Sequence, residues 1–295
     1  MRNYKKTNNL CLIPIGTLTK RPVQTILYSL IFLFLSNTTV LARADIEVGF
    51  GHYKHPYVML DDSIEKDDGH KKHHGIEFSI IKQTLLRMGL SLKTHAIEPN
   101  SLKRAIRNFK KLDAVSGVNL SSKDKFYYSD SILEIEYLAI TKAKNKIDLK
   151  STSDITPFSI IARDGVYSTL GRGFNKAYNP KSGSHKMLYY QYSRDIDLHK
   201  RFWTSESDLI MIADREAFEH YKAMLKERYD TSQPVIFSSI FPQKSRYYVA
   251  FRSKKLRDEF NDALSTLKFE GTYQRILDHY GYLSETSKSH RKYKL

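Results

Sequence analysis

The feature that most constrains the fold is an alternation of short apolar strands with amphipathic helices, which appears in two blocks of the 295-residue chain. In the first block the apolar residues alternate in strands and recur at helical spacing in helices. The segments follow one another as strand 46–50, helix 76–88, strand 90–96, helix 102–109 and strand 112–117. Strands that alternate with helices of this length predict parallel sheets covered by helices, which is an α/β fold.

The second block repeats this alternation. Residues 158–162 and 209–212 are short apolar strands, and a helix beginning near Asp214 carries Ala217, Phe218, Tyr221 and Met224 on one face. The chain then returns through an apolar segment, residues 247–251, which two amphipathic helices follow. Two such blocks predict two lobes joined by two crossings, with lobe 1 formed by residues 45–140 and 244–295 and lobe 2 by residues 141–243. The cleft between them is the expected ligand site.

The N terminus has the pattern of a secretory signal. Basic residues without acidic ones precede a short apolar run that ends at Leu35, and Ala42-Arg43-Ala44 supplies small residues for a peptidase. We therefore predict a signal peptide over residues 1–44 and a periplasmic product that begins at Asp45. An uncleaved membrane anchor is the alternative, although the run is shorter than the about 20 apolar residues that span a bilayer.

Composition narrows the function classes. The only cysteine, Cys11, lies in the predicted signal, so we expect neither a disulfide nor a thiol nucleophile in the exported part. The net charge of +16 is spread over many segments without a nucleic-acid-binding motif, so a solvated basic surface explains it better than nucleic acid. Motifs of hydrolases, zinc peptidases and phosphate loops are absent. We expect no cofactor.

A polar segment, residues 61–74, separates the first strand from the first helix. It contains Asp67, Asp68 and three histidines between residues 70 and 74, and these side chains are possible metal ligands. Interleaved Lys71 and Lys72 would repel a cation, however. We therefore expect an exposed, solvated loop without a metal.

The order of the segments resembles bacterial extracellular solute-binding proteins of family 3, the periplasmic receptors of polar amino-acid import. Six short matches carry the resemblance, in chain order: Val48-Gly49-Phe50 with His55-Pro56-Tyr57, Gly75-Ile76-Glu77, Met88-Gly89-Leu90, Asp113-Ala114-Val115-Ser116-Gly117, Tyr128-Ser129-Asp130, and Lys254–Tyr282 with Glu270-Gly271-Thr272-Tyr273. The resemblance implies a type II clamshell that closes on a small polar solute and passes it to a membrane permease. It further implies a monomer, and it places Ser116 and Gly117 among the ligand-binding residues.

Aromatic side chains near the first strand are candidates for a wall of the cleft. Tyr53 and Tyr57 are the residues that we expect to stack on a solute, with ordinary loop packing as the alternative. His52 and His55 lie close to them in sequence. We expect these histidines to be structural or exposed rather than ligand-binding.

The first-lobe clamp departs from the family pattern. In amino-acid receptors of this type a "T-x-x-R" arginine takes the α-carboxylate, whereas the corresponding run here begins with Ser121 and ends with Asp124. A carboxylate does not replace a guanidinium fork, which puts the usual amino-acid pose in doubt. Lys123, Lys125 or Arg104 would supply a positive charge, or the ligand is cationic at this point.

In the second lobe, residues 165–169 resemble the family's glycine-serine-threonine helix start. Ser168 and Thr169 would bind an anion there, while a simple helix cap is the alternative for Ser168. Asp214 is placed where the family's ammonium-binding aspartate is expected, with Asp208 as the second choice. A helix cap is again the alternative for Asp214.

Two other function classes remain open. An enzyme on the same clamshell, such as a dehydratase of a cyclic acid, would need a general acid in the cleft, for which Asp124 is the candidate. A ligand-sensing partner of a membrane kinase is the other possibility. A non-enzymatic periplasmic receptor is the function that we expect.

Overall fold

The computed structural model describes residues 44–51, 55–65, 71–98, 101–120, 125–242 and 244–282, with side chains left out for residues 61–65, 71 and 72. The predicted signal peptide, except Ala44, lies outside these residues, and so do Tyr53, Ser121 and Asp124. Residues Arg43–Leu295 make up one compact unit. Within the described ranges, none of the helices has the length and apolar character that a membrane crossing requires.

The described residues alternate between strands and helices. The strands are β1 (Asp45–Gly51), β2 (Met59–Glu65), β3 (Lys71–His74), β4 (Ser91–Ile97), β5 (Ala114–Val118), β6 (Tyr127–Tyr128), β7 (Leu133–Ile135), β8 (Leu138–Lys142), β9 (Ser159–Arg163), β10 (Tyr189–Tyr192), β11 (Leu209–Ala213), β12 (Val235–Ser238) and β13 (Ser245–Phe251). The helices are α1 (Ile76–Arg87), α2 (Leu102–Asn108), α3 (Arg172–Tyr178), α4 (Asp195–Thr204), α5 (Arg215–Leu225), α6 (Lys254–Phe269) and α7 (Thr272–His279). This is the α/β alternation that the sequence predicts.

Two sheets organise the fold. The first has the order β4-β1-β5-β13-β6, with β7 beside β13, and the second has the order β10-β9-β11-β8-β12. In each sheet the central strands are parallel, whereas β13 in the first and β8 in the second run antiparallel to their neighbours. From here on, lobe 1 is the part built on the first sheet and lobe 2 the part built on the second. The chain crosses between them twice, from β7 to β8 and from β12 to β13, which is the architecture of a type II clamshell.

Apolar patterning explains how these elements pack. All five side chains of β11 are buried, as expected for an apolar strand covered on both faces. Phe202 and Phe218 cover one face of the second sheet. Trp203 is also buried and belongs to the same apolar cluster. In lobe 1, Ile80 of α1 and Phe260 of α6 belong to a larger apolar cluster that also contains residues of lobe 2. Burial of these side chains is the main stabilising contribution.

Two local predictions are wrong. The described parts of the predicted loop, residues 61–65 and 71–74, are strands: β2 and β3 pair antiparallel, with Leu60 opposite His73. His73 is only 4% exposed and packs against Phe50, so at least this histidine is not solvated. In α5, Met224 is exposed and Leu225 takes the buried position. At helical spacing Leu225 lies between Tyr221 and Phe218 on the apolar face, whereas Met224 lies at its edge, beyond Ala217.

The cap of α6 supports a first prediction. Ser253 Oγ accepts a hydrogen bond from the backbone N–H of Leu256 at 3.3 Å, at the start of a 16-residue helix. Ser253→Ala should lower the free energy of unfolding by about 1 kcal/mol, because a backbone donor loses its partner. Denaturant unfolding measures this change, and Ser253→Thr, which keeps the hydroxyl, is the control. Equal stabilities for the two variants would contradict the assignment.

Candidate functional site

A cavity of about 350 Å³ lies between the two lobes. Four parallel strands end at it: Gly51 is the last residue of β1, Gly117 lies near the end of β5, Arg163 ends β9 and Ala213 ends β11. In open α/β sheets the crevice at the carboxyl ends of the strands is where ligands bind. The topology therefore identifies this cavity as the candidate site.

Asp214 is an acidic group of the cavity that two hydrogen bonds hold in place. It is 5% exposed, and its Oδ1 accepts hydrogen bonds from the backbone N–H of Ala217 and from the hydroxyl of Tyr57, both at 2.9 Å. The first bond caps helix α5, and the second comes from lobe 1. Burial raises the pKa of Asp214 to about 7, because a carboxylate loses its hydration there.

A second buried carboxylate, Glu77, faces the cavity from lobe 1. It lies in the first turn of α1, is 1% exposed, and its Oε1 accepts a hydrogen bond from Ser116 Oγ at 2.5 Å. Gly117 makes room for it, because a Cβ at this position would lie 2.8 Å from Oε1, and its φ of +69° suits glycine. The end of β5 is thus shaped around the Glu77 carboxylate.

Charge in the cavity is mainly negative. Among the described lining residues the acidic ones are Glu77, Asp164, Asp195 and Asp214, whereas the basic ones are Lys103 and Arg163. The Arg163 guanidinium is already paired with Asp195, to which its Nη1 donates. Lys103 Nζ lies 5.6 Å from the centre of the Tyr128 ring, a cation–π distance. The arrangement is suited to a solute that carries positive charge.

Tyrosines form the apolar part of the wall. Tyr57 is fully buried, and burial raises the pKa of its hydroxyl well above the ordinary value, so it stays a hydrogen-bond donor. Tyr137, at the first crossing, and Tyr247, on β13, also line the cavity, and their hydroxyls lie 2.9 Å apart. The hydrogen bond between Tyr137 and Tyr247 and the hydrogen bond that Tyr57 donates to Asp214 therefore both lie at the cavity wall between the lobes.

Six of the nine predicted site residues line this cavity: Tyr57, Ser116, Gly117, Ser168, Thr169 and Asp214. The other three, Tyr53, Ser121 and Asp124, lie outside the described residues. Asp208 is exposed and does not belong to the described lining.

The predicted helix start at residues 165–169 is wrong. Residues 166–168 form a short 3₁₀ turn, and α3 begins only at Arg172. Ser168 Oγ donates to the carbonyl of Gly165 at 2.7 Å, and Thr169 Oγ1 donates to that of Val166 at 2.9 Å. The same two carbonyls also accept the backbone N–H groups of Ser168 and Thr169, so both hydroxyl hydrogens are used within the turn.

Sequence reasoning missed several lining residues. Arg163, Asp164 and Asn119 lie one or two residues beyond the predicted strands 158–162 and 112–117, so the rule that sites lie at strand ends was a usable signal. Glu77 was noted only as part of a helix start. His55, expected to be structural or exposed, is half-buried and lines the cavity.

Comparison with known proteins agrees with this geometry. The family model of bacterial extracellular solute-binding proteins, family 3, matches residues 46–282. The chain belongs to this family. A comparison with curated protein sequences gave no match.

Solved structures similar to this family 3 protein share its fold. A substrate-binding protein of an amino-acid ABC transporter from Streptococcus pneumoniae, bound to L-arginine, has a TM-score of 0.59 and 16% identity, covering 82% of this chain and 95% of that one. A histidine kinase sensor domain has a TM-score of 0.63 and 14% identity, with coverage of 81% and 96%. An ancestral amino-acid-binding protein, a precursor of cyclohexadienyl dehydratase, has a TM-score of 0.59 and 17% identity, with coverage of 80% and 95%. At these identities the likeness establishes the fold.

Proposed function

We propose that this protein is a periplasmic receptor that captures a small polar solute with a cationic group and delivers it to a membrane permease. Family membership supports a solute-binding role, and the excess of acidic side chains around the cavity supports the cationic group. The observation that carries the proposal is Asp214, a buried carboxylate oriented by donors from both lobes.

Electrostatics favours a cation over an anion at this position. A buried carboxylate without a nearby positive charge is costly, which is why the pKa of Asp214 is raised. A bound ammonium or guanidinium would offset that cost, whereas a carboxylate of the solute would add to it. Arginine-bound proteins of the same fold are consistent with this preference.

A panel of solutes tests the proposal directly. Isothermal titration of the purified protein with L-arginine, L-lysine, agmatine and putrescine should give saturable one-to-one binding for at least one of them. Succinate and glutarate, which are anionic and have no cationic group, are the controls and should not bind. Binding only to the anions would contradict the cationic preference. Consumption of a bound solute would instead identify an enzyme on this clamshell.

Binding should depend on pH through Asp214. The raised pKa of about 7 means that the carboxylate is mostly protonated below this value and mostly ionised above it. Only the ionised form attracts a cation, so affinity for L-arginine, whose guanidinium stays charged, should rise roughly tenfold from pH 6 to pH 8. Titration in two buffers of different ionisation enthalpy should show proton release on binding. An affinity independent of pH would contradict this role.

A further inference from the structure

Two histidines from opposite lobes stack on each other beside the cavity. His55 follows β1 in lobe 1, and His220 lies on α5 in lobe 2. Their ring centres are 3.6 Å apart and their planes differ by 9°. This face-to-face contact and the Tyr57–Asp214 hydrogen bond both join the short segment after β1 to helix α5. One segment of lobe 1 therefore grips one helix of lobe 2 at two points.

The stacked rings are held neutral. His55 Nδ1 and His220 Nε2 are buried and have no hydrogen-bond partner within the described part of the chain. Burial, followed by the neighbouring His220 and His74, lowers the pKa of His55 to about 4, and burial lowers that of His220 as well. Two adjacent imidazolium rings in this contact would repel each other, and each would bring an N–H group without an acceptor.

Other charged groups surround the pair. Arg215, Glu216 and Glu219 of helix α5 and His279 at the end of α7 line a neighbouring cavity together with both histidines. The two carboxylates would attract an imidazolium, whereas Arg215 would repel it. His74 at the end of β3 adds to the repulsion on His55. On the other side His55 lines the first cavity with Asp214 and packs edge-on against Tyr221, and His220 acts on the buried His199 of α4. Loss of hydration on burial is the largest cause of the lowered pKa of both histidines. Separation of the lobes would restore that hydration and so favour the protonated rings.

We propose that His55 and His220 form an acid-sensitive latch across the cleft, which favours closed lobes while both rings are neutral and opens when they are protonated. Both are positioning residues: they set the closed state in which Tyr57 reaches Asp214. Opening of the lobes in acid would also release a bound solute, and this consequence rests on the proposed function. Opening of the empty protein is independent of it.

Distance measurements test the latch without a solute. The only cysteine, Cys11, lies in the predicted signal peptide, so spin labels can be placed on an exported chain without other thiols. Lys255→Cys in lobe 1 and Glu227→Cys in lobe 2 replace side chains that are 85% and 80% exposed. Electron–electron distances between the labels, measured at pH 7 and pH 4, should lengthen reversibly in acid.

The control keeps the stack and removes the titration. In the double variant His55→Phe/His220→Phe the two rings remain aromatic but stay neutral. Asp214 still titrates in this variant, so only the lengthening that exceeds the effect of Asp214 protonation should be lost. An unchanged distance in the unsubstituted protein, or equal lengthening in the double variant, would overturn the latch.

Acid unfolding gives a second readout if the protein loses its fold at pH 4. Histidines with a lowered pKa bind protons more readily in the unfolded chain, so they destabilise the fold as pH falls below their ordinary range. The double variant should therefore unfold at a lower pH than the unsubstituted protein. The fluorescence of Trp203 measures this unfolding. Equal midpoints would again overturn the latch.

Solute titration at pH 7 separates this proposal from the proposed function. Acid opening without binding of any tested solute would support the latch and contradict the function. Binding of a solute without acid opening would support the proposed function and contradict the latch.

Discussion

Replacement of Asp214 by asparagine should weaken binding of a cationic solute about 100-fold or more. The substitution removes the negative charge while it keeps the size and the oxygen that accepts from Ala217 and Tyr57. Truncation of one partner of a buried charge pair costs roughly 2–5 kcal/mol, of which every 1.4 kcal/mol is tenfold in affinity. Titration calorimetry with the best solute of the panel measures the loss.

The fold of this variant should be intact, which makes the result interpretable. Asparagine caps helices about as well as aspartate and carries no buried charge, so the free energy of unfolding at pH 7 should be at least that of the unsubstituted protein. Asp208→Asn is the matched control. Asp208 directly precedes strand β11 and Asp214 directly follows it, but Asp208 is exposed and outside the described cavity lining. Its affinity should equal that of the unsubstituted protein. Tight binding by Asp214→Asn would show that the ammonium or guanidinium sits elsewhere.

Gly75→Ala should destabilise the protein by about 3 kcal/mol or more. Gly75 precedes helix α1 with φ of +116°, and a Cβ there would lie 2.4 Å from the carbonyl oxygen of Tyr57. That same carbonyl accepts the N–H of Glu77 at 3.0 Å, so the backbone cannot retreat without loss of this bond. Strain from the left-handed region alone contributes about 1–3 kcal/mol. Thermal unfolding should show a Tm lower by roughly 10 °C.

Gly89→Ala is the control that separates backbone strain from the steric contact with the Tyr57 carbonyl. Gly89 also has a positive φ, +75°, but nothing lies within 4 Å of the Cβ that alanine would add. This variant should lose only the conformational term, about 1 kcal/mol. Because Gly75→Ala also displaces Tyr57, it should bind solute more weakly, whereas Gly89→Ala should bind normally. Equal stabilities for both variants would contradict the close approach at Gly75.

The fold was largely predictable because apolar periodicity and family motifs reported on the same elements. The strands β1, β9 and β11 and helix α1 fall within a residue or two of the predicted segments. The hairpin of β2 and β3 was missed, since its charged sequence lacks the apolar alternation that indicates strands. His73 is buried there because its partner strand, not its own neighbours in sequence, places it against Phe50.

The site was predictable only in part, because its contacts join residues far apart in sequence. Asp214 was proposed both as an ammonium ligand and as a helix cap. It caps α5, and its hydrogen bond with Tyr57 spans 157 positions. No local pattern encodes that bond, nor the stack of His55 on His220. Arg163 and Asp195 likewise meet only because β9 and α4 are neighbours in the folded lobe.

The second crossing has a consequence for biosynthesis. Strand β13 pairs with β5 and β7 in the first sheet, and helix α6 packs on α1, although more than a hundred residues separate these elements in the chain. Lobe 2 can assemble as soon as residues 138–238 have left the ribosome. Lobe 1 lacks its antiparallel strand β13 until residues 245–251 have been made. Since non-local pairing is slow, the edge of β5 that faces β13 stays unpaired during translation, whereas β1 already has β4 and β5 as neighbours. Lobe 1 is therefore completed last, although most of its residues are synthesised first.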